Sequence, residues 1–180
     1  MVQESIYDEL KFLQTNRSFL GREFLTWLWF KSESQNHKVT IKNLGEFQLF
    51  IDNKIILSSA SGSVRENSLK GNSPAYAPEA GTALSSGKML SEAKFILQNQ
   101  ELHWSFSISA EDLSLRGIRL PNVAKDNSKE HFAQRIAYGK MLNDIIDELY
   151  KEYMSLRLTS GFKEEANLIQ EWLVAKIAQA

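Results

Sequence analysis

The chain has 180 residues, a formal net charge of −1 and no cysteine. Its hydrophobic share of 43% and charged share of 24% are typical of a globular chain and argue against extended disorder. The lack of cysteine excludes disulfides, thiolate metal sites and cysteine nucleophiles. Acidic residues precede any apolar run at the amino terminus, and the longest apolar stretch, residues 24–30, is far shorter than the ~20 residues that cross a bilayer. We therefore expect a cytoplasmic protein with no membrane partner.

Two helices are predicted in the first 32 residues. Apolar residues recur at helical spacing over residues 4–14, which predicts the first helix. Residues 19–32 predict a second helix, with an unusually aromatic face that should be largely buried. The charged side chains of this second helix are expected to face solvent: Arg22, Glu23 and Lys31.

Alternating apolar residues then predict an antiparallel meander over residues 38–57. The asparagine and glycine at residues 43 and 45 predict the first turn of this meander. The Asp52-Asn53 pair predicts a tight hairpin between two short strands. Residues 58–73 are rich in serine, glycine and asparagine, so they are the best loop candidate, with a ragged strand over residues 63–69.

The second half begins with a helix and a second meander. Pro78 fits the first position of a helix that is expected to run to about Met89, and Gly87 is expected to stop it. Residues 93–108 alternate in two runs that predict a hairpin, and residues 113–120 predict a further strand.

Two helical patterns close the chain. The first begins at Lys129 and stops at Ser160 and Gly161. The side chains predicted to face the core are Phe132, Ile136, Leu142, Ile146, Leu149, Tyr153 and Leu156 in the first helix, and Leu168, Ile169, Trp172, Leu173 and Ile177 in the second. This order predicts an α+β fold. Its antiparallel sheet or sheets come from two strand meanders, each preceded by a helix, with two C-terminal helices. One domain over residues 1–180 is expected, with sub-blocks 1–73 and 74–180.

No residue pattern predicts catalysis, a metal site or a cofactor. The three histidines, His37, His103 and His131, fall in different elements and have no partner at metal-ligand spacing. The carboxylates of the helix after Lys129 are explained by a solvated face. An enzyme therefore depends on acids that the sequence cannot place together, such as Glu79 and Asp112.

Positive charge is mildly concentrated in residues 38–73, where five Lys and Arg stand against three acids, an excess of two. A nucleic-acid-binding face needs such an excess, because each neutralised phosphate releases counterions. On charge alone an ordinary mixed surface is the better explanation. The tryptophans are likewise better explained by core packing than by base stacking.

A series of short motifs runs through the chain in a fixed order. The motifs are residues 20–29 (LGREFLTWLW), the helix from Glu79 to Gly87-Lys88, then Leu97, Phe106 and Leu113, the strand end Arg119-Leu120, and Phe132-Ala133-Gln134-Arg135. Taken in order, they resemble the family of the recombination-associated protein RdgC.

The resemblance implies a non-enzymatic protein that binds double-stranded DNA with little sequence preference. Members of the family form dimers that close into a ring around the duplex, and they restrain recombinase loading, so it also implies a homodimer at the nucleoid. The family has carried an exonuclease label, for which this sequence offers no metal-binding acid cluster. In the family, the loop ahead of the Gly-Lys helix contacts DNA, and that loop maps onto residues 65–73. The DNA-binding residues implied here are Arg65, Lys70, Lys88, Arg116 and Arg119.

The chain is much shorter than the ring-forming members of that family, and its net charge is near zero. These departures favour an alternative, in which the chain is a protein-interaction or assembly module that does not bind DNA. In that alternative, the terminal helix that carries Trp172 would dock on a partner.

Overall fold

The computed structural model describes residues 20–59, 65–122 and 129–178. The helices in these ranges are α1 (residues 20–34), α2 (Pro78–Ser85), α3 (Lys129–Arg157) and α4 (Phe162–Ala178), with a 3-10 turn at Pro74–Tyr76. The strands are β1 (Lys38–Ile41), β2 (Gly45–Ser58), β3 (Glu66–Lys70), β4 (Met89–Gln98), β5 (His103–Ser109) and β6 (Leu115–Arg119). The helix predicted over residues 4–14 lies outside the described residues.

All six strands join one antiparallel sheet, in the order β1-β2-β4-β5-β6. β3 also pairs with β2, along the part of β2 that follows its pairing with β1. The long strand β2 pairs with β4 on its other side, so it connects the two predicted meanders into a single sheet. The predicted α+β fold, with strands in two antiparallel blocks and two C-terminal helices, is confirmed.

The hairpin predicted at Asp52 and Asn53 is wrong. β2 continues through both residues, with only an irregularity against β4 between Ile51 and Ile55. Lys94 of β4 forms an ion pair with Asp52 at 2.7 Å and donates a hydrogen bond to the Asn53 side chain. The turn signal is overridden because β2 has strand partners on both sides. The predicted first turn is confirmed, with left-handed backbone at Asn43 and Gly45.

One face of the sheet is apolar and carries the helices. Its side chains, such as Phe47, Phe95 and Phe106, form a single buried cluster with residues of α1, α2 and α3, and α4 packs against the edge of that cluster. Trp104 of β5 belongs to the same cluster and donates its indole N–H to the Tyr138 carbonyl of α3 at 3.2 Å. Burial of this face is the main source of stability, at roughly 25 cal/mol per Å² of apolar surface.

A glycine allows α1 to touch the sheet. A Cβ atom at Gly21 would lie 1.9 Å from the carbonyl oxygen of Ala110, just after β5. No side chain fits against that backbone atom, although glycine in a helix costs up to about 1 kcal/mol relative to alanine. Gly21 thus fixes how closely the start of α1 approaches the end of β5.

One predicted helix boundary and the predicted burial of two side chains differ from the structure. α2 ends at Ser85, earlier than expected, because Met89 already begins β4; Gly87 is left-handed and ends the helix as predicted. In α3, the predicted core residues Phe132 and Ile136 are 67% and 57% exposed. The core begins to bury α3 only at Leu142, so the first turns of the helix extend past it.

Candidate nucleic-acid interface

The sheet face opposite the buried cluster, called the outer face here, is polar. Cross-strand register places Lys70 opposite Lys54, Lys94 opposite Ser107, and Ser107 opposite Arg116. Opposite residues in an antiparallel pair point to the same face. In the described part of the chain, the helices pack on the other side of the sheet.

Three of the five DNA-binding residues predicted from the resemblance lie on the outer face. Lys70 ends β3 at one edge of the sheet, while Arg116 and Arg119 lie on β6 at the other edge. Four strand spacings of about 4.8 Å separate these edges, or roughly 19 Å. Arg65 precedes β3 and is exposed beside the first edge. Each of these four cations is exposed, but they form two groups and not one.

Lys88 is the exception among the five. Its side chain is buried, with 8% of the residue exposed, and its ammonium donates a hydrogen bond to the Asn67 side chain of β3. It lies on the helix-covered side of the sheet, next to α2. The structure therefore separates Lys88 from the other four.

Acids neutralise part of the outer face. Lys38, Lys54 and Lys94 each form an ion pair with an acid of the neighbouring strand, at 2.5 to 3.1 Å. Arg116 has a looser contact, 3.8 Å from Asp112. Arg65, Lys70 and Arg119 form no ion pair with any residue in the described ranges, so the free positive charge is concentrated at the two edges.

A groove of about 320 Å³ crosses the outer face from β3 to β6. Arg22 of α1 and Arg116 line it together with the carboxylates of Glu66, Glu92 and Glu111. The Nε atom of Arg22 is buried and has no hydrogen-bond partner among the described residues. Arg22 was expected to face solvent, so its position beside the groove was not predicted. The sequence signal for this position is the neighbouring Gly21, because a glycine lets the start of α1 lie against the sheet.

The pKa of Asp112 is held below its usual value, chiefly because its carboxylate accepts hydrogen bonds from the Ser114 hydroxyl and backbone N–H, with a further contribution from Arg116. Asp112 is exposed and lies in the turn before β6, whereas Glu79 is exposed at the start of α2. These two acids do not meet. Within the described ranges, no group of three or more His, Asp or Glu side chains could hold a metal ion.

The aromatic side chains that could have stacked on bases belong to the core. Trp27, Trp29 and Trp104 are each 2% exposed or less, which confirms the prediction that they pack inside. His37 bonds Ser32 and packs on Phe50. These three tryptophans are therefore not available for contact with a nucleic acid at the outer face.

Of the helices in the described ranges, none combines the length and the apolar character that crossing a membrane requires.

No family model matches the chain. A stretch of 84 residues is 33% identical to the protein translocase subunit SecA of Janthinobacterium sp. (strain Marseille). The matched stretch is 46% of this chain but only 9% of that protein. The similarity is therefore to a small part of a much longer relative.

Proposed function

We propose that the chain is a short relative of the RdgC proteins that binds double-stranded DNA without sequence preference and modulates recombination at the nucleoid. In this proposal it is not an enzyme and needs no cofactor, and a homodimer would present two copies of the outer face. Phosphates are contacted by Arg65 and Lys70 at one edge and by Arg116 and Arg119 at the other.

The observation that supports the proposal best is the placement of unpaired cations on the outer face. Lys70 and Arg119 are exposed at opposite edges, and neither is neutralised by an acid in the described part of the chain. Side chains that contact phosphates position a protein on DNA without reading its sequence. A partly neutralised face with few free cations predicts modest affinity that falls steeply with salt.

The test compares two double variants by fluorescence anisotropy with unrelated duplexes at several salt concentrations. Arg65→Ala with Lys70→Ala removes one edge, and Arg116→Ala with Arg119→Ala removes the other. We expect each variant to weaken binding to all duplexes about equally. The slope of log K against log salt should fall by about one for each phosphate that the variant no longer neutralises.

A matched control is Lys140→Ala with Lys151→Ala, which removes two cations from the exposed side of α3. Their side chains are 72% and 69% exposed, and each has a carboxylate partner on the same helix. This variant should bind like the wild type. Unchanged affinity in both edge variants would remove the outer face from the proposal.

A second candidate function is a protein-interaction or assembly module that does not bind DNA. The observation that favours it is apolar surface on the C-terminal helices: Phe132 is 67% exposed, and Val174 is 61% exposed. Trp172 cannot itself be the docking residue, because its indole N–H donates to Glu33 and its ring packs edge-on against Trp29. Failure of the wild type to bind duplex DNA at low salt would favour this alternative.

A further inference from the structure

A cavity of about 290 Å³ lies among the helices, on the side of the sheet away from the outer face. The side chains that line it are mostly apolar: Trp27, Leu84, Met89, Phe162, Ile169 and Leu173. α4 forms one wall of the cavity without fully burying any residue of its own. An apolar cavity with a few polar groups on its wall is the usual form of a small-molecule site.

Lys88 brings a positive charge to this cavity. The residue is 8% exposed and lines the cavity. Within the described ranges its ammonium has one hydrogen bond, to the neutral side chain of Asn67. No carboxylate in the described ranges lies within 4 Å of it. An ammonium has three donors, and buried charges are normally paired. The C-terminal end of α2 supplies only about half an elementary negative charge.

Among the described residues that line the cavity, the one acid is Glu23, and its charge is already neutralised. Oε2 of Glu23 accepts hydrogen bonds from the Tyr153 hydroxyl at 2.6 Å and from Nε of Arg157 at 2.8 Å. The guanidinium of Arg157 therefore balances the charge of Glu23. Glu165 of α4, beside the cavity, accepts a hydrogen bond from the indole N–H of Trp27 at 3.1 Å. In the described part of the cavity lining, Lys88 is the charged residue without an ion-pair partner, and an anionic group of a ligand would complement it.

We propose that this cavity binds a small amphipathic carboxylate. Its hydrocarbon part would lie against Trp27, Phe162 and Leu173, and its carboxylate would accept hydrogen bonds from the Lys88 ammonium. The volume lies at the lower end of the ~300–1,000 Å³ that is common for ligand pockets, which favours a short chain over a long fatty acid. This site is independent of the outer face and of the proposed DNA binding.

The test uses isothermal titration calorimetry of the full chain with three ligands of equal chain length: octanoate, octanol and octylamine. We expect octanoate to bind saturably and at least tenfold more tightly than octanol, and octylamine to bind more weakly than either. In Lys88→Met, which keeps the length and apolar stem of the side chain, octanoate should lose at least tenfold in affinity. Octanol binding should not weaken in this variant.

Two further variants make the test specific. Lys140→Met removes an exposed lysine of α3 and should leave the preference for octanoate unchanged. Ala166→Phe places a ring in the cavity and should abolish binding of octanoate and octanol while circular dichroism shows a folded chain. The proposal is overturned if the wild type fails to bind octanoate, if it binds octanoate and octanol equally, or if Ala166→Phe still binds octanoate. If Lys88→Met does not fold, the comparison of octanoate, octanol and octylamine in the wild type still tests the proposal.

Discussion

Two glutamates of α1 each hold a C-terminal helix, in different surroundings. Glu23, near the start of α1, binds the end of α3, and Glu33, near the end of α1, binds α4. The side chains of Glu23 and its partner Arg157 are 20% and 31% exposed. Those of Glu33 and its partner Lys176 are 14% and 8% exposed. The first ion pair is thus near the surface, and the second is enclosed.

The Glu33 carboxylate gathers three donors. It accepts hydrogen bonds from the indole N–H groups of Trp29 at 2.7 Å and Trp172 at 3.0 Å, and its ion pair with Lys176 measures 2.8 Å. The Lys176 ammonium also donates to the carbonyl of Ala75 and lies 4.1 Å from the ring centre of Tyr76. Aromatic rings that face a cation at such distances stabilise it. One lysine therefore connects α4 to α1 and to the 3-10 turn.

The two helices differ in how they use the core. α3 buries five side chains, including Leu142 and Leu149, whereas no residue of α4 is fully buried. Apolar burial can therefore hold α3 without help from Glu23. The apolar side chains by which α4 packs on the core are only half-buried, so α4 relies more on polar contacts, chiefly those of Glu33 and the hydrogen bond from Trp27 to Glu165. We infer that the Glu33 contacts determine whether α4 stays docked. The Glu23 contacts add stability to α3, which the core already holds in place.

The largest effect is expected for Glu33→Ala. This variant leaves the enclosed Lys176 charge and two indole N–H groups without their acceptor, and breaking a buried pair in this way costs about 3–5 kcal/mol. Because α4 buries no side chain fully, the loss should appear as local release of this helix. Hydrogen exchange should speed up across α4 while α3 stays protected.

Glu164→Ala is the matched control for this experiment, because Glu164 is an exposed acid in the first turn of α4. It should leave exchange in α4 close to that of the wild type. If Glu33→Ala left the protection of α4 unchanged, the contrast between the two helices would be wrong.

A smaller effect is expected for Glu23→Gln. The amide keeps an acceptor for the Tyr153 hydroxyl but loses the charge that Arg157 pairs with, so the cost should be about 1–2 kcal/mol. Since α3 is held by the core, urea denaturation should show one cooperative transition at lower urea, with no early loss of α3. Glu148→Gln, at an exposed pair on α3, should change stability by less than about 0.5 kcal/mol. Selective release of α3 in Glu23→Gln would contradict the comparison.

The sequence predicted the elements well where periodicity alone decides. The aromatic stripe of α1 and the alternation of β4 and β5 gave their type and buried faces, because burial follows directly from such patterns. The turn predicted at Asp52-Asn53 is wrong because the pairing of β2 with strands on both sides outweighs the local turn preference. A local sequence pattern does not show which distant strands will pair with it. The predicted burial of Phe132 and Ile136 is wrong, because periodicity shows which face of a helix is apolar but not where the core ends.

The candidate sites were predictable only in part. A sequence shows that Lys70 and Arg119 are cations, but their placement at opposite edges follows from the strand order β3-β2-β4-β5-β6. Nothing in the sequence distinguishes Lys88 from the other four predicted DNA-binding residues. Only the structure shows that its side chain is buried beside Asn67. Arg22, Glu23 and Lys31 were expected in solvent. Arg22 instead lies beside the sheet, and Glu23 and Lys31 bind side chains of α3, because α1 is packed on more than its apolar face.

The smallest effect is expected for Tyr153→Phe. This variant removes the hydroxyl that donates to Glu23 but keeps the aromatic ring in the core. Burial, and then the hydrogen bond to Glu23, raise the pKa of Tyr153 above its ordinary value of about 10. Above that pH the unfolded chain releases the tyrosine proton and the folded chain keeps it. The stabilisation from Tyr153 is therefore complete below about pH 10 and is lost progressively above it.

At neutral pH, Tyr153→Phe should cost about 1 kcal/mol, because the hydrogen bond to Glu23 is removed. In urea denaturation, stability should then decline less steeply between about pH 9.5 and 11 than it does in the wild type, because the variant has no proton to lose at this position. Tyr138→Phe is the control, since the Tyr138 hydroxyl bonds no residue in the described ranges, and it should leave the alkaline decline as it is. Equal alkaline slopes in the wild type and Tyr153→Phe would mean that Glu23 is held by Arg157 alone. The contacts at Glu23 would then amount to a single ion pair near the surface, and the contrast with the enclosed Glu33 would become sharper.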